Sequence, residues 1–560
     1  MKKIFLLTTL ISLILPCIFC CSSGSKNANE TGSIAVNLIF PPGFNGGGTI
    51  NTKAQAKPGM ISEPLGDQTC PQCDTMVFTV TGDGMDPMYF SFSYDSHDAL
   101  LSGIPPGNGR TLTVDVKDSS SEVILHGSKS NIPISVGAII SVDLTLLGTL
   151  SSPNWVQYGN SASGEGISNG SNYAEYPSLA LDSAGYPYVA WDDNTAGCCE
   201  IYIKRWDGSE WVEVGAGSAS YGGISNNSGI SVLTSLALDP SGNPVVAWHD
   251  NSSGKSQVYI KRFNPAGVGT WDEIGAGSAS GGGISNTPGV SGEASLAIYS
   301  SSNLVVAWCS DTNSDLSCDA IYIKRWDGNA WVEIGAGSAS GGGISNTGGI
   351  SEWPSLALDS SGNPVVAWDD SSNGNYEIYV KHWDSINGAW IGYGGSDSGG
   401  GISDNLSGSG IPSLALDSLD NPVVAWYDVT TSNSEIFIKR WNGSAWVEIG
   451  NSSANLGGIS DNSGESRDPS LALDSSDNPV VAWSDNSGGG NPEIYIKRWT
   501  GSEWMDYGGK AARDGGISMN SGNSQAPRIA LDPSGYPVVT WYDDTIGPKY
   551  YKIYALHWAP

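Results

Sequence analysis

A chain of 560 residues exceeds what one ordinary hydrophobic core organises, so several domains or one long repeat array are expected. Gly is abundant at 74 residues, aromatics reach 9% and charged residues only 15%, a mix that favours short strands joined by tight turns. The net charge of −31 comes from 57 acidic against 26 basic residues; that field repels phosphate backbones and excludes nucleic acid, leaving cations, neutral glycans and proteins.

The chain opens with the basic MKK and the apolar run IFLLTTLISLILPCIFCC, which ends at Cys20 and Cys21 before the polar SSGSKNANE. This arrangement resembles a bacterial lipoprotein signal. The resemblance implies removal of residues 1–20, a lipid on Cys21 and a polar tether over 21–32. Ile18 then stands at −3 and Cys20 at −1 of the cleavage site. A plain secretory signal is the competing expectation. Either takes the chain out of the cytoplasm, to the bacterial cell envelope or outer-membrane surface when lipidated and into the medium when not. No later stretch approaches the roughly 18 apolar residues of a membrane helix, so the lipid is the only membrane contact expected.

Six further cysteines fall in three local pairs, as an oxidising compartment permits. Disulfides are expected for Cys70 with Cys73 and for Cys309 with Cys318. A lone C-P-Q-C lacks the second cluster that a zinc site needs. Adjacent Cys198 and Cys199 are left undecided, since a vicinal bond is strained.

Residues 33–148 carry SIAVNLIF, MVFTVTG, MYFSFSY, RTLTVDV, EVILHG and AIISVDLTL, which read as strands of a small antiparallel β-sandwich. With its LLSGIPPGNGRTLTVDV hairpin, the region resembles the Ig-like or prealbumin-like modules that precede repeat domains in bacterial surface proteins. A spacer role is expected.

From residue 152 to 560 one sentence is written seven times. Copies of SLALD begin at Ser178, Ser235, Ser295, Ser355, Ser413 and Ser470, with Arg528 opening the last; the spacings are 57, 60, 60, 58, 57 and 58. Periods of this size mark propellers, solenoids or arrays. Each copy reads as four short strands: SLALD, PVVAW after a turn such as SSGN, EIYIKRW after an acidic loop, and WVEIG after a tight DGS hairpin. Four strands per repeat make a propeller blade. Tryptophan closes all seven second strands, from Trp191 to Trp541, and opens seven fourth strands, from Trp155 to Trp504. Trp155 precedes the first full copy, while the last copy ends at LHWAP without a fourth strand. NWVQYG is therefore expected to complete the last blade. The fold class expected is all-β: a seven-bladed β-propeller closed by its N-terminal outer strand and preceded by the small sandwich.

Two sets of polar residues repeat on the face that carries the longer loops. An acid follows each second-strand Trp by two positions, at Asp193, Asp250, Asp370, Asp428, Asp485 and Asp543, while the third copy has Ser310. A GIS motif stands 11 residues before each SLALD start and is followed by Asn169, Asn226, Asn286, Asn346, Asp404 or Asp461. This rim could hold a cation or sugar hydroxyls. Its competitor is turn capping, which identical repeats would repeat. No cofactor is expected. Ca²⁺ is weakly suggested by D-D-S-S-N-G at Asp369–Gly374, where Val380 replaces the bidentate Glu of a calcium loop.

The repeats resemble the propellers of bacterial secreted proteins, sialidase-like and lectin propellers included. W-D-G-S-E-W departs from the sialidase Asp-box, no match to the sialidase Arg triad is present, and the five histidines are scattered. No hydrolase motif of known spacing appears. The expectation is a non-catalytic binding or adhesion propeller for a glycan or protein ligand. The alternatives are a sialidase-like glycoside hydrolase and a purely structural surface-layer or scaffold protein.

Overall fold

The computed structural model describes residues 32–39, 49–51, 75–93 (without 83 and 86), 100–117, 123–148 (without 136, 137 and 146) and 154–559 (without 170–172, 196, 198, 314, 316, 430–432, 489, 508–515, 548 and 549). The expected signal, tether and lipidated Cys21, together with Cys70, Cys73 and Cys198, lie outside the described residues. The chain divides into two compact units, one within residues 1–153 and one over Asn154–Ala559.

The first unit holds two sheets. In one, Gly32–Ile39 pairs antiparallel with Thr49–Asn51 and Leu100–Ile104, and parallel with Ile139–Thr145. The parallel pair corrects the expectation of a wholly antiparallel region; a long crossover joins its strands, as parallel pairing requires. The other sheet runs Met88–Ser93, Thr75–Thr81, Gly107–Lys117, Val123–Ile134 and Leu147–Gly148. Period-two alternation puts Leu112, Val114 and Val116 on one face of Gly107–Lys117, and they pack with Phe78, Leu101 and Val142 from both sheets. Buried Arg110 is satisfied by backbone, donating to the Pro105 and Pro106 carbonyls.

The second unit is built of seven four-stranded antiparallel sheets. Sheet 1 runs Ala174–Leu181, Pro187–Asp193, Glu200–Trp206 and Trp211–Glu213. Sheets 2 to 6 repeat this order with first strands Ser231–Leu238, Ser291–Ser300, Ser351–Leu358, Ser409–Leu416 and Ser466–Leu473. Sheet 7 takes three strands from the end of the chain, Ser524–Leu531, Pro537–Asp543 and Lys552–Ala559. Its fourth is Asn154–Gln157, with Trp155 opposite Trp558.

Burial explains the sequence of each strand. Second strands such as Pro364–Asp370 are buried along their whole length, so they carry β-branched side chains on both faces. Third strands are buried at the start and emerge at the Lys-Arg-Trp end. The seven second-strand tryptophans are at most 1% exposed. Removing one such indole costs about 3–5 kcal/mol in a typical core.

Neighbouring sheets share their hydrophobic clusters. One cluster joins sheets 1 and 2 through Ala190, Leu236 and Trp248, and the pattern repeats along the chain. A further cluster sets Val189, Trp191 and Tyr202 of sheet 1 against Tyr542, Ile553 and Ala555 of sheet 7. Polar ties follow the same order. Fourth-strand indoles donate to a carbonyl of the preceding sheet, as Trp271 does to Val214 (2.9 Å) and Trp446 to Tyr393 (3.0 Å). Trp155 reaches Tyr507 (3.3 Å), and Trp211 reaches Tyr158 beside Asn154–Gln157 (3.1 Å). Lys204 Nζ likewise donates to Ile167 O (2.9 Å), as Lys261 does to Ile224 O (2.7 Å).

Candidate functional site at the inner mouth of the repeat unit

The six repeated aspartates are at most 1% exposed. Asp370 shows how they are held. Its Oδ1 accepts the Ser372 backbone N–H (2.9 Å), and Oδ2 accepts from Trp368 Nε1 (3.3 Å), Thr347 Oγ1 (2.8 Å) and Ser351 Oγ (2.7 Å). Asn227, Asn405, Asn462 and Asn520 take the Thr347 role toward Asp250, Asp428, Asp485 and Asp543. Asp193 accepts from Trp191 Nε1 and the Thr195 N–H, both at 2.9 Å. Burial pushes the Asp250 carboxyl up, but hydrogen bonds from Ser231, Ser252 and Asn227 outweigh it and leave the group below its ordinary value. These carboxylates tie strand two to the loop that enters strand one; capping accounts for them.

Asn169, Asn226, Asn286, Asn346, Asp404 and Asp461 are exposed and share a left-handed backbone, with φ between 21° and 47°. Asn and Asp tolerate that region best among residues with a Cβ. The loop around them folds back on its own sheet, as in Ile344 N–H to Ile321 O (2.8 Å). Asp369 and Asp370 are neighbours in one strand and so point to opposite faces, which keeps them from converging on one calcium ion. Cys309 and Cys318 are joined by a disulfide. Among the described residues the one cluster with metal-ligand chemistry is Glu293 with these two cysteines, and the disulfide leaves it a single carboxylate.

The repeat breaks its own uniformity elsewhere. Every first strand carries a bulge two residues before the SLALD start, and the bulged residue is left-handed in all seven sheets. These residues are Tyr176, Leu233, Glu293, Trp353, Ile411, Asp468 and Ala526, with φ from 47° to 54°. Left-handed backbone costs an L-residue about 1–2 kcal/mol, and a β-branched Ile is a true outlier there. One backbone shape is therefore held by seven different side chains. Five of the seven line a single cavity of about 370 Å³. Its wall is the ladder of first-strand serines, from Ser178 to Ser470, and Arg528 stands at the seventh rung. Each serine Oγ accepts the N–H of the residue just after the next rung, as Ser295 does from Leu356, which follows Ser355 (3.1 Å).

A second varied set lies between the second-strand Trp and its repeated acid: Asp192, His249, Cys309, Asp369, Tyr427, Ser484 and Tyr542. Register pairs these residues with the position before each bulge. Glu175 stands opposite Asp192 and Glu352 opposite Asp369. Like charges directly opposite in a sheet are destabilising, so two sheets carry a costly arrangement that the other five avoid. Acids of both sets accept bulge N–H groups of the next sheet. Asp369 Oδ2 accepts the Ile411 N–H (3.1 Å), and Glu293 Oε2 accepts the Trp353 N–H (2.7 Å).

Burial dominates the electrostatics. It pushes Asp192 and Asp369 well above the usual carboxylate range, helped by Glu175 at the first and by Glu293 and Glu352 at the second. It lifts Glu293 to about 7, with Glu352 adding to the rise. His249 is drawn down to about 4 by burial and stays neutral. Asp468 is raised by burial against the pull of Arg528 and Arg467. The cavity thus offers the Glu293 carboxyl, the Tyr176 phenol, the Trp353 indole and the Arg528 guanidinium around a space within the ordinary range of small-ligand sites. Attention to the uniform positions of the repeat passes over all of these; the signal that finds them is the varied positions two and three before each SLALD and one after each second-strand Trp.

No family model matches the chain, and no match was found among curated proteins. Among solved structures it is similar to a polysaccharide lyase described as a PL25 ulvan lyase, at 10% identity over 72% of this chain and 95% of that chain, with a TM-score of 0.43. It is similar to the NanB sialidase from Streptococcus pneumoniae in complex with 2-[(3-chlorobenzyl)ammonio]ethanesulfonate, at 13% identity over 87% and 94%, with a TM-score of 0.33. The Hadza microbial sialidase Hz136 gives 10% identity over 88% and 92%, with a TM-score of 0.34.

Proposed function

We propose that this protein is a lipid-anchored, extracytoplasmic, non-catalytic carbohydrate-binding propeller. In this reading the seven sheets are blades of one ring, Asn154–Gln157 closes it, and the ligand sits at the inner mouth. The observation that carries the reading is the set of seven different side chains on one strained backbone position, five of which line a single cavity. Strain that persists at one place in every repeat points to function more than to folding. Trp353 and Tyr176 supply faces on which a sugar ring stacks, while the serine ladder and the Glu293 carboxyl supply partners for hydroxyls. A glycan array with and without EDTA tests it: saturable binding that survives EDTA and is lost in Trp353→Ala is expected. A silent array would favour a protein ligand or a scaffold role and would refute the glycan reading.

A hydrolase is the second reading, favoured by one observation, the carboxyl of Glu293 raised by burial to about 7 beside two further acids. Turnover of a fluorogenic sialoside or arylglycoside, abolished in Glu293→Gln, would replace the binding reading. The lipid anchor has its own test. Cys21→Ser should move the protein from the membrane fraction to the soluble one; a variant that stays membrane-bound contradicts the anchor.

A further inference from the structure

The serine ladder along the cavity is complete at six rungs and broken at the seventh. Serine Oγ atoms of sheets 1 to 6 each accept an N–H from the next sheet, at 2.9 to 3.1 Å. The last of these runs from Ile529 of sheet 7 to Ser470. Sheet 7 would hand the same bond on to Leu179 of sheet 1, which stands in the register that Leu236 holds in sheet 2. Arg528 occupies that rung, and arginine has no acceptor atom, so the bond cannot form. We infer that an oxyanion of the ligand takes the missing place, so that the glycan bound here is an acidic one carrying a carboxylate; this rests on the glycan reading above.

Two kinds of donor meet at the gap. The Leu179 N–H faces sheet 7, as its equivalent in Leu236 faces Ser178, and Leu179 and Arg528 both line the cavity. An N–H left without an acceptor costs about as much as a lost hydrogen bond, and the cavity is where an acceptor can enter. Of the five N–H donors of Arg528, Nη1 gives one to the Pro527 carbonyl (2.9 Å). Among the described residues no ion pair holds this guanidinium. Asp468 of sheet 6 pulls on it through space, but burial raises that carboxyl. A neutral hydroxyl would satisfy the Leu179 N–H and leave the charge uncompensated. A carboxylate does both: its two oxygens take the parallel donors of the guanidinium, and a spare lone pair reaches the N–H. Glu293, the other ionisable carboxyl or base on the cavity wall, enters from sheet 3, with sheets 1 and 2 between it and sheet 7. The net charge of −31 repels anions at long range. Physiological salt screens that field beyond about 8 Å, so the contacts at the rung decide.

Isothermal titration of the full chain at neutral pH with the galacturonic acid tetramer and its methyl-esterified counterpart tests this, beside the glycan array. The acid is expected to bind at least tenfold more tightly, one charge-assisted contact being worth that factor. Arg528→Ser restores the seventh rung, so its melting temperature should hold or rise while the preference disappears. Arg528→Lys keeps the charge without the fork and should retain part of the preference. Equal or tighter binding of the ester overturns the carboxylate inference and leaves the glycan reading standing. A preference that survives Arg528→Ser overturns the assignment to this rung, and a lower melting temperature in that variant contradicts the open rung itself. Where neither tetramer binds, the array decides. Acidic glycans lost in Arg528→Ser support the inference, neutral glycans alone overturn it, and a silent array overturns it together with the glycan reading.

Discussion

At the scale of single residues, the repeated aspartate and its tryptophan set what the fold tolerates. Asp370→Ala would leave the Trp368 indole, two hydroxyls and a backbone N–H without their acceptor inside a dry loop. A loss of about 2–4 kcal/mol is expected in denaturant melts, the range for breaking a buried polar network. Sheet 3 is the natural counterpart. Ser310 replaces the aspartate there, and the Trp308 indole N–H has no partner. Ser310→Asp should supply the acceptor and raise stability by about 1 kcal/mol; a lower melting point would show that the smaller side chain is required. Acidity follows from the third-strand glutamates. Burial raises Glu493 to about 7 from 4.5, and raises Glu200, Glu377 and Glu435. Such groups bind their proton more tightly folded than unfolded, so their contribution is present at pH 4.5 and lost as pH rises through 7. The melting temperature is expected to fall from pH 5 to pH 8, and less steeply in Glu493→Gln. A rise over that range would contradict the account.

At the scale of strands and loops, regular periodicity was legible and irregular backbone was not. PVVAWDD and EIYIKRW announce second and third strands because full burial and a snorkelling Lys-Arg end leave direct marks in composition. First strands begin four residues before SLALD, since the bulge interrupts alternation where a reader would end the strand. The parallel pairing of Gly32–Ile39 with Ile139–Thr145 was hidden for another reason: it joins segments about a hundred residues apart, and no local pattern encodes such a partner. The site was the least legible element. Uniform Asp and Asn residues attract notice as a rim, yet the buried half of that set caps turns. The mouth is written in the positions where the seven copies disagree, which a search for repeated chemistry discards.

At the scale of the whole repeat unit, the two ends of that unit meet in one sheet. Asn154–Gln157 contributes its fourth strand, the Trp155 indole bond to Tyr507 and the packing of Trp155 against Trp558. Deleting residues 152–160 is expected to lower the melting temperature of the entire unit in a single transition, because sheet 7 without this strand has an open edge and the proposed ring loses its closing strand. An unchanged melt would contradict closure.

The central claim is that ligand recognition lies at the varied inner mouth and not at the repeated outer loops. The most direct measurement is one glycan array probed with three proteins: the parent chain, a mouth variant carrying Tyr176→Ala and Trp353→Ala, and a loop variant carrying Asn286→Ala and Asn346→Ala. The account expects the parent and the loop variant to give the same binding profile and the mouth variant to lose it at unchanged melting temperature. Binding retained by the mouth variant and lost by the loop variant would contradict it.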